Sequence, residues 1–168
     1  MAPAQPVGAP APRDGRIPAS CAHGCQNRDF SLYVHIPFCS VRCGYCDFNT
    51  YATEDFGDGI GLGTYADDAT AEIFFAARTL EASGLVKRPL HTVFFGGGTP
   101  TKLPSYDLVR ILKTAIDIFG IEDGAEVTTE ANPDSVTYED LQTLKDGGFT
   151  RVSFGMQSVV PEVLKVLD

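Results

Sequence analysis

Three cysteines lie close together in the chain, with the spacing CxxxCxxC, at Cys39, Cys43 and Cys46. Each thiolate can bind one iron of a cubane cluster, whereas a purely structural cluster usually takes four cysteines. One iron then stays open for a small molecule, just as catalytic metals keep an open position. Arg42 lies between the first two cysteines, and its positive charge favours the thiolate forms. The spacing therefore predicts a 4Fe–4S cluster with one open iron.

A zinc site and inert cysteines are the alternatives for the same three residues. Zinc requires a fourth ligand, and structural zinc sites favour CxxC pairs over this spacing, so the cluster is preferred. Two more cysteines, Cys21 and Cys25, form a second CxxxC pair near the N-terminus. A metal site there is disfavoured, because the surrounding segment reads as unstructured and would not preorganise its ligands.

Residues suited to ligand binding also follow the other predicted strands. Gly97, Gly98 and Thr99 come at the end of one, and glycines there let backbone approach a ligand closely. Glu130 and Gln157 end the next two, and each can hydrogen-bond a nucleoside or amino acid. Taken singly, these residues read as a flexible turn, a solvated acid and a loop contact. Together with the cysteines they would surround one mouth, because parallel strands end at one edge.

The elements that would position these residues alternate regularly between strand and helix. Strands are predicted over 30–38, 91–97, 125–133 and 151–158, and helices over 65–83, 106–119, 138–146 and from Pro161 onward. This succession makes four βα units, and such alternation implies parallel strands with right-handed crossovers. The predicted class is α/β.

Three of the four predicted strands have one apolar and one polar face, whereas strands of an open parallel sheet usually read as continuous apolar runs. The apolar faces are Leu32, Val34 and Ile36; Val127, Thr129 and Ala131; and Val152, Phe154 and Met156. A partial parallel (β/α) barrel with a polar, ligand-holding interior explains this better than an open sheet. His35 faces that interior and is interpreted as a hydrogen-bonded strand histidine, with a role near a substrate as the alternative.

Composition bounds the rest of the chain. Residues 1–28 are rich in proline and alanine and are predicted to be a disordered tail, which leaves 29–168 as the folded domain. The net charge of −9 argues against a nucleic-acid partner, because phosphate contacts need clustered lysine and arginine. No segment approaches the ~20 apolar residues of a membrane span, and the N-terminus lacks a signal-peptide pattern. A cytoplasmic location is predicted.

The strings YVHIPFCSVRCGYCDF, GGGTPT, EANP and RVSFGMQS occur in this order. They resemble the oxygen-independent coproporphyrinogen oxidase-like branch of the radical S-adenosylmethionine (SAM) superfamily. The resemblance implies that the three cysteines hold the cluster and that SAM binds beside it. It also implies the SAM positions, which are Tyr33, Tyr45, Gly97, Gly98, Thr99, Glu130 and Gln157. In this chemistry a reduced cluster gives SAM one electron, and a 5′-deoxyadenosyl radical forms.

One position separates two types within the branch. Coproporphyrinogen dehydrogenases resemble CxxxCxxCxC, but Phe48 occupies the place of the last cysteine here. This is similar to the haem chaperone type, which implies haem or porphyrin as a further ligand. It also implies a haem-acceptor protein and an electron donor, neither of which the sequence identifies. The alternatives are an oxygen-independent coproporphyrinogen III oxidase, which decarboxylates its substrate to protoporphyrinogen IX, and, more remotely, a zinc-binding interaction module.

The resemblance also bears on length. Members of the branch are longer, with further βα units and a C-terminal domain, so 29–168 is expected to be the N-terminal part of a radical SAM core domain. An arginine that completes SAM binding is expected beyond Asp168. The fourth strand is then expected to have an open edge with unpaired backbone groups.

Overall fold

The structure, a computed structural model, describes residues 15–167. Its strands are β1 (Ser31–Ile36), β2 (Asp55–Gly57), β3 (Ile60–Gly61), β4 (Leu90–Gly97), β5 (Ile121–Ala131) and β6 (Arg151–Phe154). Its helices are α1 (Tyr65–Ala82), α2 (Ser105–Phe119), α3 (Tyr138–Asp146) and α4 (Pro161–Leu167). Short 3-10 turns precede β1 and follow β4.

Four of the strands form one parallel sheet in the order β1-β4-β5-β6. Each is followed by a helix, so the predicted α/β class and the four βα units are confirmed. Neighbours in the sheet are consecutive βα units, and all four carboxyl ends therefore lie along one edge. The sheet does not close on itself, because β1 and β6 each have one paired side, and the barrel is only partly present.

The core lies between the sheet and its helices. The alternation predicted for β1 is present, since Val34 and Ile36 are buried while Tyr33 is half exposed. Helix α2 contributes Leu108, Ile111 and Leu112, all fully buried. Each such side chain stabilises the fold by about 1.5–3 kcal/mol relative to an exposed one. This apolar layer fixes the sheet and with it the loops at the carboxyl edge.

Helix ends follow local signals. Gly84 has φ 71° after α1, and the amide of Leu85 donates to the Leu80 carbonyl at 3.0 Å, which is a Schellman cap. Helix α3 begins with a capping box, in which Thr137 and Asp140 each accept from the other's backbone amide. The helices thus begin and end close to where the sequence predicts.

The fourth strand of the sheet differs from its prediction. It was predicted over 151–158 but ends at Phe154, because its partner β5 ends at Ala131 and is soon followed by Pro133, which cannot donate a hydrogen bond. Gln157 therefore lies in the loop after the strand rather than on its polar face. Phe154 was predicted to face the helices, yet it is 48% exposed.

A hairpin and the N-terminal segment complete the described chain. Strands β2 and β3 pair antiparallel and were not predicted. Residues 1–14 of the predicted tail lie outside the described residues. Residues 19–22 and 25–27 form 3-10 turns, so this part differs from the unstructured segment expected. The Arg88 guanidinium anchors it by donating to the carbonyls of Cys25 and Arg28.

Candidate functional site

A cavity of about 310 Å³ lies at the carboxyl edge of the sheet. Nine of the ten residues predicted to bind the cluster or SAM line it, namely Cys39, Cys43, Tyr45, Cys46, Gly97, Gly98, Thr99, Glu130 and Gln157. They come from the loop after β1 and from the ends of β4, β5 and β6. The expectation that these groups surround one mouth is therefore met. Tyr33, the tenth, lies beside the cavity and is not part of its wall.

The three cysteines belong to a loop whose two ends are held together. Phe38 and Tyr51 form an isolated parallel bridge. The Cys39 amide donates to the Tyr51 carbonyl at 3.0 Å, and the Tyr51 amide donates to the Pro37 carbonyl at 2.7 Å. This neck ties the cysteine loop, residues 39–50, to the end of β1. The amide of Gly44 also donates to the Leu167 carbonyl in α4, so the loop reaches across to the last helix.

The thiols of the loop are free. Cys39 and Cys46 are half-buried and Cys43 is exposed, and none forms a disulfide. Within residues 15–167 no three histidine, cysteine or acidic side chains converge as ligands of a single metal ion. In a cubane cluster each cysteine thiolate binds a different iron, so the three thiolates need not converge on one metal atom. The donor set of three thiolates on one cavity wall thus fits a 4Fe–4S cluster.

The glycine run lets the sheet approach the cysteine loop. A Cβ on Gly98 would lie 2.6 Å from the Phe38 carbonyl oxygen and 2.9 Å from the Cys39 Sγ. Gly97 has φ 115°, and a Cβ there would meet the His35 ring at 2.8 Å. The amides of Gly98 and Thr99 donate to the Ile36 and Phe38 carbonyls, both at 2.8 Å. The sequence predicts that a ligand approaches these glycines, whereas in the structure the first cysteine and its neighbours approach them.

Glu130 lies near the end of β5, as predicted, and is half-buried. Its Oε2 comes within 3.0 Å of the position that a Cβ on Gly96 would take. Beyond it, the Asn132 side-chain amide donates to the Thr99 hydroxyl at 3.4 Å and links the ends of β4 and β5. One carboxylate and one amide therefore line the cavity together with the cysteine loop.

A hydrogen-bonded pair connects the interior face of β1 to the cysteine loop. The His35 Nε2 lies 2.8 Å from the Asn49 carbonyl oxygen. Because a carbonyl only accepts, this nitrogen carries a proton, and in the neutral ring Nδ1 accepts from the Tyr33 hydroxyl at 2.9 Å. His35 is thus a hydrogen-bonded strand histidine, as predicted. Burial and the nearby charge of Glu130 raise the pKa of Tyr33, so it stays a neutral donor.

Some wall residues were not singled out from the sequence as ligand-binding residues. They are Val41, Phe48, Thr50, Ala131, Asn132, Ser153, Phe154 and Gly155. Ser153 lies on the predicted polar face of its strand, and Asn132 belongs to the EANP string that contains Glu130. Both could therefore have been predicted from the sequence as ligand-binding residues. Phe154 could not, because its aromatic side chain in a strand reads as core. Its assignment to the helix-packing face is wrong.

Comparison with known proteins identifies the family. The model of the radical SAM superfamily matches residues 33–168. The chain belongs to the radical SAM superfamily. Membership implies a 4Fe–4S cluster and SAM, and the cavity of free cysteines and glycines described above fits both. The cofactor prediction thus agrees with the family.

Relatives from several organisms resemble the chain. The haem chaperone HemW of Mycobacterium tuberculosis is 45% identical over 139 residues, which cover 83% of this chain and 34% of that protein. HemW of Bacillus subtilis is 36% identical over 142 residues. The mitochondrial radical S-adenosyl methionine domain-containing protein 1 of Mus musculus is also 36% identical, over 82% of this chain and 29% of its own length. The chain spans about a third of the length of these relatives.

A solved structure shares the fold. Coproporphyrinogen III oxidase (HemN) from Escherichia coli, a radical SAM enzyme, superposes with a TM-score of 0.70 at 31% identity, over 83% of this chain and 30% of that one. The predicted partial barrel of the radical SAM type is therefore confirmed. Among the helices of residues 15–167, none has the length and apolar character needed to cross a membrane.

Proposed function

We propose that this chain forms the cluster- and SAM-binding part of a haem chaperone-like protein, which binds haem and passes it to an acceptor protein. The observation that carries the proposal is the shared cavity, in which free cysteines face glycines and polar strand ends. The names of the bacterial relatives support haem as the cargo. A cytoplasmic location and an absence of nucleic-acid partners stay part of the proposal.

Each group of residues has a role in this proposal. Cys39, Cys43 and Cys46 hold the cluster, which together with SAM supplies one-electron chemistry at a sulfonium carbon–sulfur bond. Gly97 and Gly98 let the cysteine loop pack closely against β4, and their backbone lines the cavity in which SAM would bind. Tyr45, between the second and third cysteines, contributes an aromatic ring to the same cavity.

The polar residues of the site orient SAM. The Glu130 carboxylate accepts hydrogen bonds from its amino group or ribose hydroxyls, and the Gln157 amide can both donate and accept. Thr99 is buried, and its backbone is held in place because its amide donates a hydrogen bond to the Phe38 carbonyl. Tyr33 acts from beside the cavity, through His35 and through its proximity to Glu130.

An oxygen-independent coproporphyrinogen III oxidase is the second candidate, which the fold of HemN supports. Two residues after Cys46 the chain has Phe48, which lines the cavity and offers no thiol. That side chain is the reason to prefer the chaperone. Titration with haem, followed by its Soret absorbance, and an assay of coproporphyrinogen decarboxylation separate the two activities.

Anaerobic reconstitution with iron and sulfide tests the cluster. The chain is expected to bind about four irons, and alanine at Cys39, Cys43 or Cys46 is expected to remove most of them. Cys21→Ala and Cys25→Ala are matched controls, because both thiols lie outside the cavity, and both variants should keep their iron. Equal iron content in all five variants, or a colourless zinc protein, contradicts the proposal.

SAM binding is tested on the reconstituted chain by equilibrium dialysis. Glu130→Gln keeps the shape of the side chain but removes its charge, so we expect about tenfold weaker SAM binding and unchanged iron content, since a charge-assisted hydrogen bond contributes about 1.5–3 kcal/mol. Unchanged SAM affinity would remove Glu130 from the site.

A further inference from the structure

The mouth of the cavity has an exposed apolar surface, which we call the apolar rim and define as Val41, Phe48 and Phe154. All three side chains line the cavity. Their exposed fractions are 72%, 63% and 48%. They come from two elements, the cysteine loop and the end of β6. Exposed apolar groups that gather at a cavity mouth are typical of a binding surface, whereas isolated ones are not.

The rings of this rim are not used by the fold. Among residues 15–167 neither Phe48 nor Phe154 packs against another aromatic ring. Tyr51 and Phe56 offer a contrast, because these exposed rings pack edge-to-face with centroids 5.1 Å apart. The two rim rings therefore present open faces to a ligand. Aromatic faces stack best on another flat π-system.

A positive charge accompanies the rim. Arg42 follows Val41 in the cysteine loop and is exposed, and it has no ion-pair partner within the described residues. The chain as a whole carries a net charge of −9, so its exposed cations are outnumbered by acidic side chains. A guanidinium binds a carboxylate through two parallel hydrogen bonds. Arg42 does not line the cavity itself, but its place next to Val41 puts a carboxylate-binding group beside the rim.

We propose that the apolar rim stacks on the flat macrocycle of haem while Arg42 pairs with one of its propionates. The inference rests on the proposed function and adds the contact surface to it. A flat, apolar ring with carboxylates at one edge matches both features, whereas Glu130 and the glycine backbone of the cavity are assigned to SAM. Haem so bound would cover the cavity that is assigned to the cluster and SAM. A non-planar porphyrinogen would stack less well on the same rings, so haem is the favoured occupant.

Haem titration of the reconstituted chain, followed by Soret absorbance, tests this surface. Phe48→Ala and Phe154→Ala are each expected to weaken haem binding about tenfold, from the loss of one stacked ring and its buried area. Phe74→Ala is the matched control, because that ring is 49% exposed on α1 and lies outside the cavity, and it should bind haem like the wild type.

The carboxylate contact is tested with two probes. Arg42→Gln should weaken binding of haem about tenfold but leave binding of haem dimethyl ester unchanged, because the ester has no charge to pair. Iron content and thermal melting check that each variant is loaded and folded. If the wild type binds no haem, the proposed function fails. If the wild type binds haem and the rim variants match Phe74→Ala, the rim is not the haem surface and only this inference is overturned.

Discussion

Replacing Gly98 by alanine tests how closely the sheet approaches the first cysteine. The added Cβ would lie 2.6 Å from the Phe38 carbonyl oxygen, whereas ordinary contacts to a Cβ begin at 3.4 Å. The shortfall is therefore 3.4 − 2.6 = 0.8 Å. The oxygen cannot swing aside, because it also accepts from the Thr99 amide at 2.8 Å. The strand and the cysteine loop must move apart.

Such overpacking costs about 1–3 kcal/mol of unfolding free energy. Denaturation in urea, followed by circular dichroism, measures that loss, and iron and sulfide analysis measures the effect on the site. Because Cys39 Sγ would lie only 2.9 Å from the new methyl, we expect Gly98→Ala to load clearly less iron than the wild type. Its φ is not in the left-handed region, so no backbone strain contributes.

Two glycines elsewhere are controls. Gly63 also lacks a left-handed φ, and a Cβ there would meet nothing within 4 Å, so Gly63→Ala should leave both stability and iron content unchanged. A Cβ on Gly147 would lie 2.3 Å from the Val109 side chain, far along the chain from the cysteines. Gly147→Ala should therefore lower stability but keep its iron. Full stability and full iron loading in Gly98→Ala would refute the close approach.

Two further substitutions test contacts that support the site. Hydrogen bonds from the side chain and backbone of Thr137 lower the pKa of Asp140 below its ordinary value of 3.8. The ionised carboxylate therefore stabilises the fold fully above pH 3.8, and this stabilisation is lost as the pH falls through the lowered pKa. We expect Asp140→Asn to lower the free energy of unfolding at pH 7 by about 0.5 kcal/mol, measured by urea denaturation. Equal wild-type and variant stabilities at pH 7 would contradict this. The Tyr65 hydroxyl, whose pKa burial raises to about 12, donates to the His35 carbonyl at 2.5 Å. Tyr65→Phe keeps the ring and should cost about 1 kcal/mol in the same assay, and a variant as stable as the wild type would exclude that bond.

Much of the fold was predictable because it follows from short-range patterns. Alternating polarity identified β1 and the faces of Val34 and Tyr33, and glycine after an apolar repeat located the end of α1. The cysteine spacing and the strand-end residues identified eight of the cavity's lining residues, since parallel strands bring their carboxyl ends together, and the family resemblance added Tyr45. The site was predictable to the extent that strand order was.

The remaining features depend on long-range geometry. Strand β6 ends where its partner β5 ends, and the alternation of Phe154 and Met156 in the sequence carries no information about the end of β5. The hairpin β2–β3 did have a local signal, because Gly57, Asp58 and Gly59 all take positive φ, as tight hairpin turns require. The role of Gly98 in admitting Cys39 needed coordinates, since a glycine run alone predicts only close approach and not the approaching atom.

The neck formed by Phe38 and Tyr51 has a consequence for how the cysteine segment can evolve. Its closure relies on main-chain groups of Cys39, Tyr51 and Pro37, which persist whatever side chains occupy those positions. The neck itself therefore places no restriction on the side chains between the cysteines, provided that the spacing is retained. Such a closed segment can be grafted as a unit onto another scaffold, if the recipient strand also faces a residue without a side chain.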